Sequence, residues 1–334
     1  MEDCIIIGAG PTGLSIASSL QKRGINPIII ERGPIASNIS EYPTFMRFFS
    51  TREMLELDDF PMTIVDEKPS RQQYLHYLNR FVQTKKLRIH TYTEVLSAEK
   101  QDSDVFKVLV RKRNGSNQSI ETKAVVLACG AWEKSNELQC PGADLPKVIY
   151  KFKEVHQFYN SKVLVVGGRS GAIETSLNLF RSGVDVSLSY RRKSFDGRGV
   201  KYWLRPDIEN RIEKDEIHGF LGTTVKRIDW ESVTLADSTG EEITIQNDFV
   251  IGQIGYRPPI EFMEQMGIEL DSETKIPAHH PDTLESTTVP GLFIAGVILA
   301  GNVSGQIFIE NSRYHGEKIA DELVRQIKPI SALV

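Results

Sequence analysis

Residues 4–31 constrain this chain more than any other stretch, because they read as strand, glycine turn, helix and second strand ending in an acid. Ile5, Ile6 and Ile7 form a continuous apolar run, the pattern of a strand buried on both faces. Gly8-Ala9-Gly10-Pro11-Thr12-Gly13 follows at once, which is G-x-G-x-x-G in its required strand-to-helix setting. Gly8 permits the tight turn, Gly10 lets the backbone approach a pyrophosphate, and Gly13 lets the helix pack closely on the strand. The phosphate then sits at the helix start, at Pro11 and Thr12, where unpaired N–H groups and the positive dipole end attract it. The helix is expected over residues 14–23, stopped by Gly24, and the second strand over 27–30, delivering Glu31 with Arg32 beside it. An acid there bonds a ribose 2′-hydroxyl and repels a 2′-phosphate, so the site selects FAD or NAD over NADP.

The pattern restarts at residues 162–166 with Gly167-Gly168-Arg169-Ser170-Gly171-Ala172, a helix to Arg181, Gly183 and a strand over 184–190. Gly167 and Ala172 stand at the first and last positions of the same motif, with Arg169 at the second-glycine position. The second strand ends differently, in Tyr190-Arg191-Arg192-Lys193. A solvated basic turn has this composition too, but cations at this edge pair with a 2′-phosphate, so the second site reads as an NADPH site using Arg191 and Arg192.

Between the two motifs lie an irregular, aromatic-rich stretch (32–70), where Thr44, Ser50 and Thr51 offer hydroxyls to a cofactor, and a capping box, Ser70-x-x-Gln73, opening a helix over 71–83. Strands are expected over 88–92, 95–99, 106–111 and 119–122, the last two joined by an Asn114-Gly115 hairpin, with a further apolar strand over 124–128 ending in Cys129-Gly130-Ala131. Later, 249–251 is a strand before a return linker, and 289–296 is a final buried strand stopped by Gly296. A helix opened by residues 302–306 and running to about 323 follows, its first N–H groups aimed at a flavin. A chain of 334 residues holds two domains, and a net charge of −4 makes no electrostatic bid for nucleic acid or anionic membrane. The longest apolar stretch is too short to span a bilayer, no signal peptide fits, and three isolated cysteines with no C-x-x-C point to the reducing cytosol. Seven scattered histidines suggest no metal site.

Both glycine motifs, Tyr42-Pro43-Thr44 with Phe48-Phe49-Ser50, residues 142–148, Gly255-Tyr256, and the run from Ala295-Gly296-Val297 to Glu310-Asn311 resemble the bacillithiol-disulfide reductase family of thioredoxin-reductase-type flavoproteins. The resemblance covers nearly the whole chain. It implies an α/β fold of two Rossmann-like domains: a discontinuous FAD domain (1–135 and 253–334) with an NADPH domain (136–252) inserted. It also places Val95, Cys129, Gly130, Gly296, Gln306 and Ile307 with the first motif at FAD. The chain departs from the family at two points, where Thr12 stands in place of a cysteine in the first glycine turn and Cys129 in place of a threonine. Cys129 is therefore the one candidate for a catalytic thiol. The reading is an NADPH-dependent FAD oxidoreductase passing electrons directly to a small-molecule disulfide such as bacillithiol disulfide, or to a small redox protein, in a homo-oligomer. A ferredoxin- or flavodoxin-NADP reductase, a flavin monooxygenase and a non-catalytic redox sensor remain open alternatives.

Overall fold

The computed structural model describes residues 1–130, 134–195, 199–303 and 305–327. The chain divides into two compact units, one of Met1–Glu41, Phe45–Glu133 and Arg257–Val334, the other of Tyr42–Thr44 and Lys134–Tyr256.

In the first unit the strand order is Arg88–His90, Ile28–Ile30, Glu2–Ile7, Asn117–Leu127, Phe106–Lys112 and Thr93–Lys100, with Leu292–Ile294 also paired to Asn117–Leu127. Ile5, Ile6 and Ile7 lie in parallel register between Ile28, Ile29 and Ile30 on one side and Val125, Val126 and Leu127 on the other. All nine side chains are buried. Covered on both faces, such strands need an apolar side chain at every position, which is why the run is continuous rather than alternating. The two strands expected over 119–122 and 124–128 are one, Asn117–Leu127. Its first half pairs antiparallel with Phe106–Lys112 and its second half parallel with Glu2–Ile7. Lys123, exposed and bonded to Asp3, mimics a strand break in sequence without being one.

The first helix is Pro11–Lys22, three residues earlier at its start than periodicity suggests, since Pro is tolerated at a position whose N–H would be unpaired anyway. The capping box forms as read: Ser70 Oγ accepts the Gln73 N–H and Gln73 Oε1 accepts the Ser70 N–H, opening helix Arg71–Lys85. The stretch over 32–70 carries two short helices, Ser37–Ser40 and Arg52–Leu55. At the C-terminal end the expected helix start at 302–306 is wrong. Gly301 and Gly305 hold φ of +51° and +90°, which α-helix excludes, and among the described residues after Gly301 helices form only at Ile309–Ser312 and His315–Ile327. Ser304, within that expected start, and Ala131, at the end of the strand expected over 124–128, lie outside the described residues.

Asp58 ties the loop to the helices. Its carboxylate is 4% exposed and accepts hydrogen bonds from Lys22, Lys85 and Ser18. Burial alone would raise its pKa, but the three donors outweigh burial and the net shift is downward. Its contribution to stability is therefore present above the unfolded carboxylate pKa and lost as pH falls through the lower folded value. Asp58→Asn should cost roughly 3 kcal/mol, because two ammonium groups are left facing a neutral amide. Chemical denaturation at neutral pH checks this, with the difference from wild type shrinking toward pH 3.

In the second unit, His218–Leu221, Asp185–Tyr190, Lys162–Val166, Phe249–Gly252 and Val148–Ile149 make a five-stranded, wholly parallel sheet. Helix Ser170–Arg181 follows the second glycine turn. Thr223–Ile228, Ser232–Asp237 and Glu242–Gln246, unassigned from sequence, form a separate antiparallel sheet. Both units are thus Rossmann-like, each with its glycine turn at the C-terminal end of a central parallel strand. No helix among the described residues is long and apolar enough to cross a membrane.

Candidate functional site

The first glycine turn is cramped at two glycines and open at the third. A Cβ on Gly8 would lie 2.6 Å from the Ala128 carbonyl oxygen and 2.9 Å from Cys129 Cα, and one on Gly13 would lie 2.1 Å from the Gly8 carbonyl oxygen. A Cβ on Gly10 would meet nothing within 4 Å. Gly10 is the residue before the helix, with no side chain bonded to the first-turn N–H groups. Open space in front of an uncapped helix start suits a pyrophosphate.

Glu31 is buried beneath this turn. Its Oε2 accepts the Ala9 N–H at 2.9 Å, and its Oε1 accepts the Gly33 N–H at 2.8 Å and the Ser37 hydroxyl at 3.0 Å. A carboxylate has about four acceptor positions, so roughly one is left for a ribose hydroxyl. The space and donors therefore fit FAD. Arg32, exposed, follows it. The backbone of Glu31 is held from His90 and Thr93, two residues before Val95 on the same strand.

Cys129, Gly296 and the short helix Ile309–Ser312 meet at the turn, and Ser50 and Gln306 bond to that helix. Cys129 is half-buried beside Gly8, and a Cβ on Gly130 would lie 3.1 Å from Asn38 Nδ2. The Thr12 hydroxyl pairs with the Ser312 hydroxyl at 2.9 Å, and a Cβ on Gly296 would lie 3.2 Å from Thr12 Oγ1. Ser50 is buried and donates to the Glu310 carboxylate. Gln306 and Ile307 precede the short helix at 309, the Gln306 carbonyl accepting from Asn311 Nδ2. Thr44 groups with the second unit, where its hydroxyl donates to Glu154 at 2.8 Å. Ser37, Asn38, Ser312 and His315 are the neighbours that sequence reasoning missed. Ser312 and His315 lie some 300 positions from the turn, and nothing local signals such a contact.

The second turn repeats the first with a substitution. The Gly8 N–H donates to Ile30 O and the Gly167 N–H to Ser189 O, both at 2.9 Å, so Tyr190 occupies the place of Glu31. Its ring lies over Gly168, where a Cβ would come within 2.2 Å of it, and stacks on Phe195. Gly168 is thus a glycine to admit that ring. Arg191 and Arg192 come directly after it and are exposed. Arg169 sits before the second helix at φ −101°, ψ 176°, close to the extended backbone of Gly10, which any residue can adopt. Ser170 donates its N–H and hydroxyl to Gly199 O at 3.0 Å. Gly171 is exposed, and buried Ala172 packs against Gly167. With an aromatic ring instead of an acid under the turn, and two guanidiniums next to it, the residues fit a nucleotide carrying a 2′-phosphate.

Of the remaining cysteines, burial pushes the Cys4 thiol far above its ordinary range and raises that of Cys140. His279 and His280 join no group of acids, cysteines or histidines able to hold a metal among the described residues.

A family model described as pyridine nucleotide-disulphide oxidoreductase matches residues 5–296. Bacilliredoxin reductase Bdr of Bacillus subtilis strain 168 is 37% identical over 325 residues, covering 97% of this chain and 98% of that protein. The structure of bacillithiol disulfide reductase Bdr from Bacillus cereus superposes with a TM-score of 0.94 at 38% identity, over 97% of this chain and 99% of that one. A thioredoxin reductase of Lactococcus lactis matches with a TM-score of 0.75 at 19% identity, over 97% of this chain and 98% of that one, a likeness of fold alone.

Proposed function

The chain belongs to the bacillithiol-disulfide reductase family of pyridine nucleotide-disulphide oxidoreductases, and on that premise we propose that it oxidises NADPH and, using FAD, reduces a low-molecular-weight disulfide of the bacillithiol type. The observation that carries this reading is the contrast between the two glycine turns, Glu31 beneath one and Tyr190-Arg191-Arg192 beside the other. When bound, FAD supplies a two-electron carrier between nicotinamide and disulfide. NADPH, a proton and one disulfide then give NADP⁺ and two thiols, so protons and electrons balance.

The protein's part is binding and orientation. Glu31, the Gly10 backbone and the start of the first helix hold the FAD diphosphate and ribose. Gly167 to Ala172 admit the NADPH backbone, and Arg191 and Arg192 take its 2′-phosphate. Gly130, Gly296, Ser50, Val95, Gln306 and Ile307 line the remainder of the flavin edge in this reading, whereas Thr44, bonded within the second unit, is left out of it. We assign residues 1–135 and 253–334 to FAD and 136–252 to NADPH, in a homo-oligomer of the reducing cytosol, where the free cysteines are at home. Light scattering of the purified protein tests the assembly.

Thr12 separates this chain from a thiol mechanism at the glycine turn, since its hydroxyl, paired to Ser312, cannot form a mixed disulfide. The proposal is therefore that the purified enzyme stores two electrons, all on flavin, and that Cys129, the cysteine beside the turn, is dispensable. Anaerobic dithionite titration should consume two electrons per flavin, and Cys129→Ser should retain most of the NADPH-dependent flavin bleaching and disulfide turnover. Uptake of four electrons, or turnover abolished in Cys129→Ser while bleaching persists, would make Cys129 the catalytic thiol instead. Thr12 also favours one second reading, delivery to a small redox protein of ferredoxin or flavodoxin type. An acceptor screen after anaerobic NADPH reduction distinguishes the two, and no reoxidation by any acceptor would indicate a sensor.

A further inference from the structure

His315 opens the C-terminal helix and lies half-buried against the end of the last parallel strand, where its Nδ1 accepts the Gly296 N–H at 3.2 Å. Gly296 is clamped from the other directions as well. Its strand neighbour Ala295 donates to Leu127 O at 2.9 Å, its φ is +81°, and its Cα faces the Thr12 side chain. Thr12 belongs to the first turn of the helix that faces the pyrophosphate, and its hydroxyl is held in turn by Ser312. The imidazole, Gly296, Thr12 and Ser312 thus form one connected set joining the C-terminal helices to the floor of the glycine turn.

We infer that His315 is a positioning residue for the flavin site: its neutral imidazole, by accepting the Gly296 N–H, fixes the Gly296 backbone against Thr12 in the geometry that flavin binding needs. The inference rests on the reading that the first unit holds FAD.

The chemistry of the pair demands one protonation state. A buried N–H without an acceptor is costly, and only an imidazole with a free Nδ1 lone pair can serve, so the ring proton resides on Nε2. Protonation would turn Nδ1 into a donor facing another donor. The surroundings oppose that: burial, then Lys318 on the same helix and His279 from the segment beside it, push the pKa down to about 4. On the strand side the facing groups, Gly296 and Thr12, carry no charge. Glu317, the acid next to it in sequence, is engaged by Arg23 and Ser19.

The side-chain oxygen of asparagine reaches the place of Nδ1, whereas that of glutamine reaches the place of Nε2, and leucine offers no acceptor. Apoprotein of each variant is titrated with FAD, following flavin fluorescence. His315→Asn should bind FAD within about threefold of wild type, and His315→Gln and His315→Leu at least tenfold more weakly, a loss in line with an orphaned buried N–H. A purely packing role would instead spare leucine or penalise all three alike. If the leucine variant does not fold, the asparagine and glutamine pair carries the comparison. A second readout is thermal stability against pH. The folded pKa is depressed from 6.5 to about 4, so wild type should lose stability relative to His315→Asn as pH is lowered through that window. Equal FAD affinity in all variants, equal loss in all, or superimposable pH curves overturn the inference. A wild type that binds no FAD overturns the cofactor reading and this inference with it, whereas FAD-binding wild type beside unaffected variants overturns this inference alone.

Discussion

Gly10→Val should yield a folded protein that is no longer yellow. The reason lies in what each glycine of the first turn faces. Gly10 has φ −78° and ψ 175°, an extended conformation open to any residue, and a Cβ there meets no protein atom within 4 Å. Glycine at this position is thus not required by the fold, as Arg169 at the matching position of the second turn illustrates. What a valine would fill is the space in front of the uncapped helix start. Losing two charge-assisted hydrogen bonds from backbone to phosphate, at about 1.5–3 kcal/mol each, should weaken FAD binding on the order of 100-fold or more. Gly13→Ala is the contrasting control. Its methyl would sit 2.1 Å from the Gly8 carbonyl oxygen, backbone against backbone, so this variant should lose several kcal/mol of stability whether or not cofactor is present. The measurement is flavin per protein by visible absorbance alongside the melting temperature of the apoproteins. A Gly10→Val protein with full flavin would remove the pyrophosphate from this turn.

In the second unit, Arg191→Ala/Arg192→Ala should erase most of the preference for NADPH over NADH. Tyr190 stands where Glu31 stands in the first turn, so no acid is present to hold a 2′-hydroxyl or repel a 2′-phosphate. Two guanidiniums at about 1.5–3 kcal/mol apiece set an expected loss on the order of 100-fold in the kcat/KM ratio. NADH activity should change little, because NADH lacks the group that the arginines recognise. Steady-state kinetics with both nucleotides decide it. An unchanged ratio would move nucleotide selection to other residues. The double variant should fold normally, since both side chains are exposed at the end of a strand and the stacked Tyr190 and Phe195 are untouched.

The two glycine turns, the acid after one second strand and the cations after the other were legible in the sequence because each is set by contacts within about 30 residues. Such contacts leave a local pattern: a buried parallel strand needs an unbroken apolar run, and a helix packed on it needs a small residue at a fixed offset. The hairpin at Asn114-Gly115 and the capping box at Ser70 were readable for the same reason. Local pattern misled where the environment changed along one element. Lys123 looked like a strand break, although the strand passes through it from an antiparallel to a parallel partner. The helix expected to open at 302–306 failed because apolar spacing does not report the positive φ of Gly301 and Gly305.

From its sequence alone, then, this chain determined two dinucleotide-type units, with an acid after the second strand of one and cations after that of the other, since those depend on neighbours in the chain. Tertiary structure alone decided what completes the first site. Ser312 on Thr12 and Cys129 beside Gly8 come from segments more than 100 residues away, and His315 reaches Gly296 from a helix that follows it by 19 residues. Pairings of that kind are set by strand register and helix packing, which bring residues together without leaving any period or spacing in the sequence to announce them.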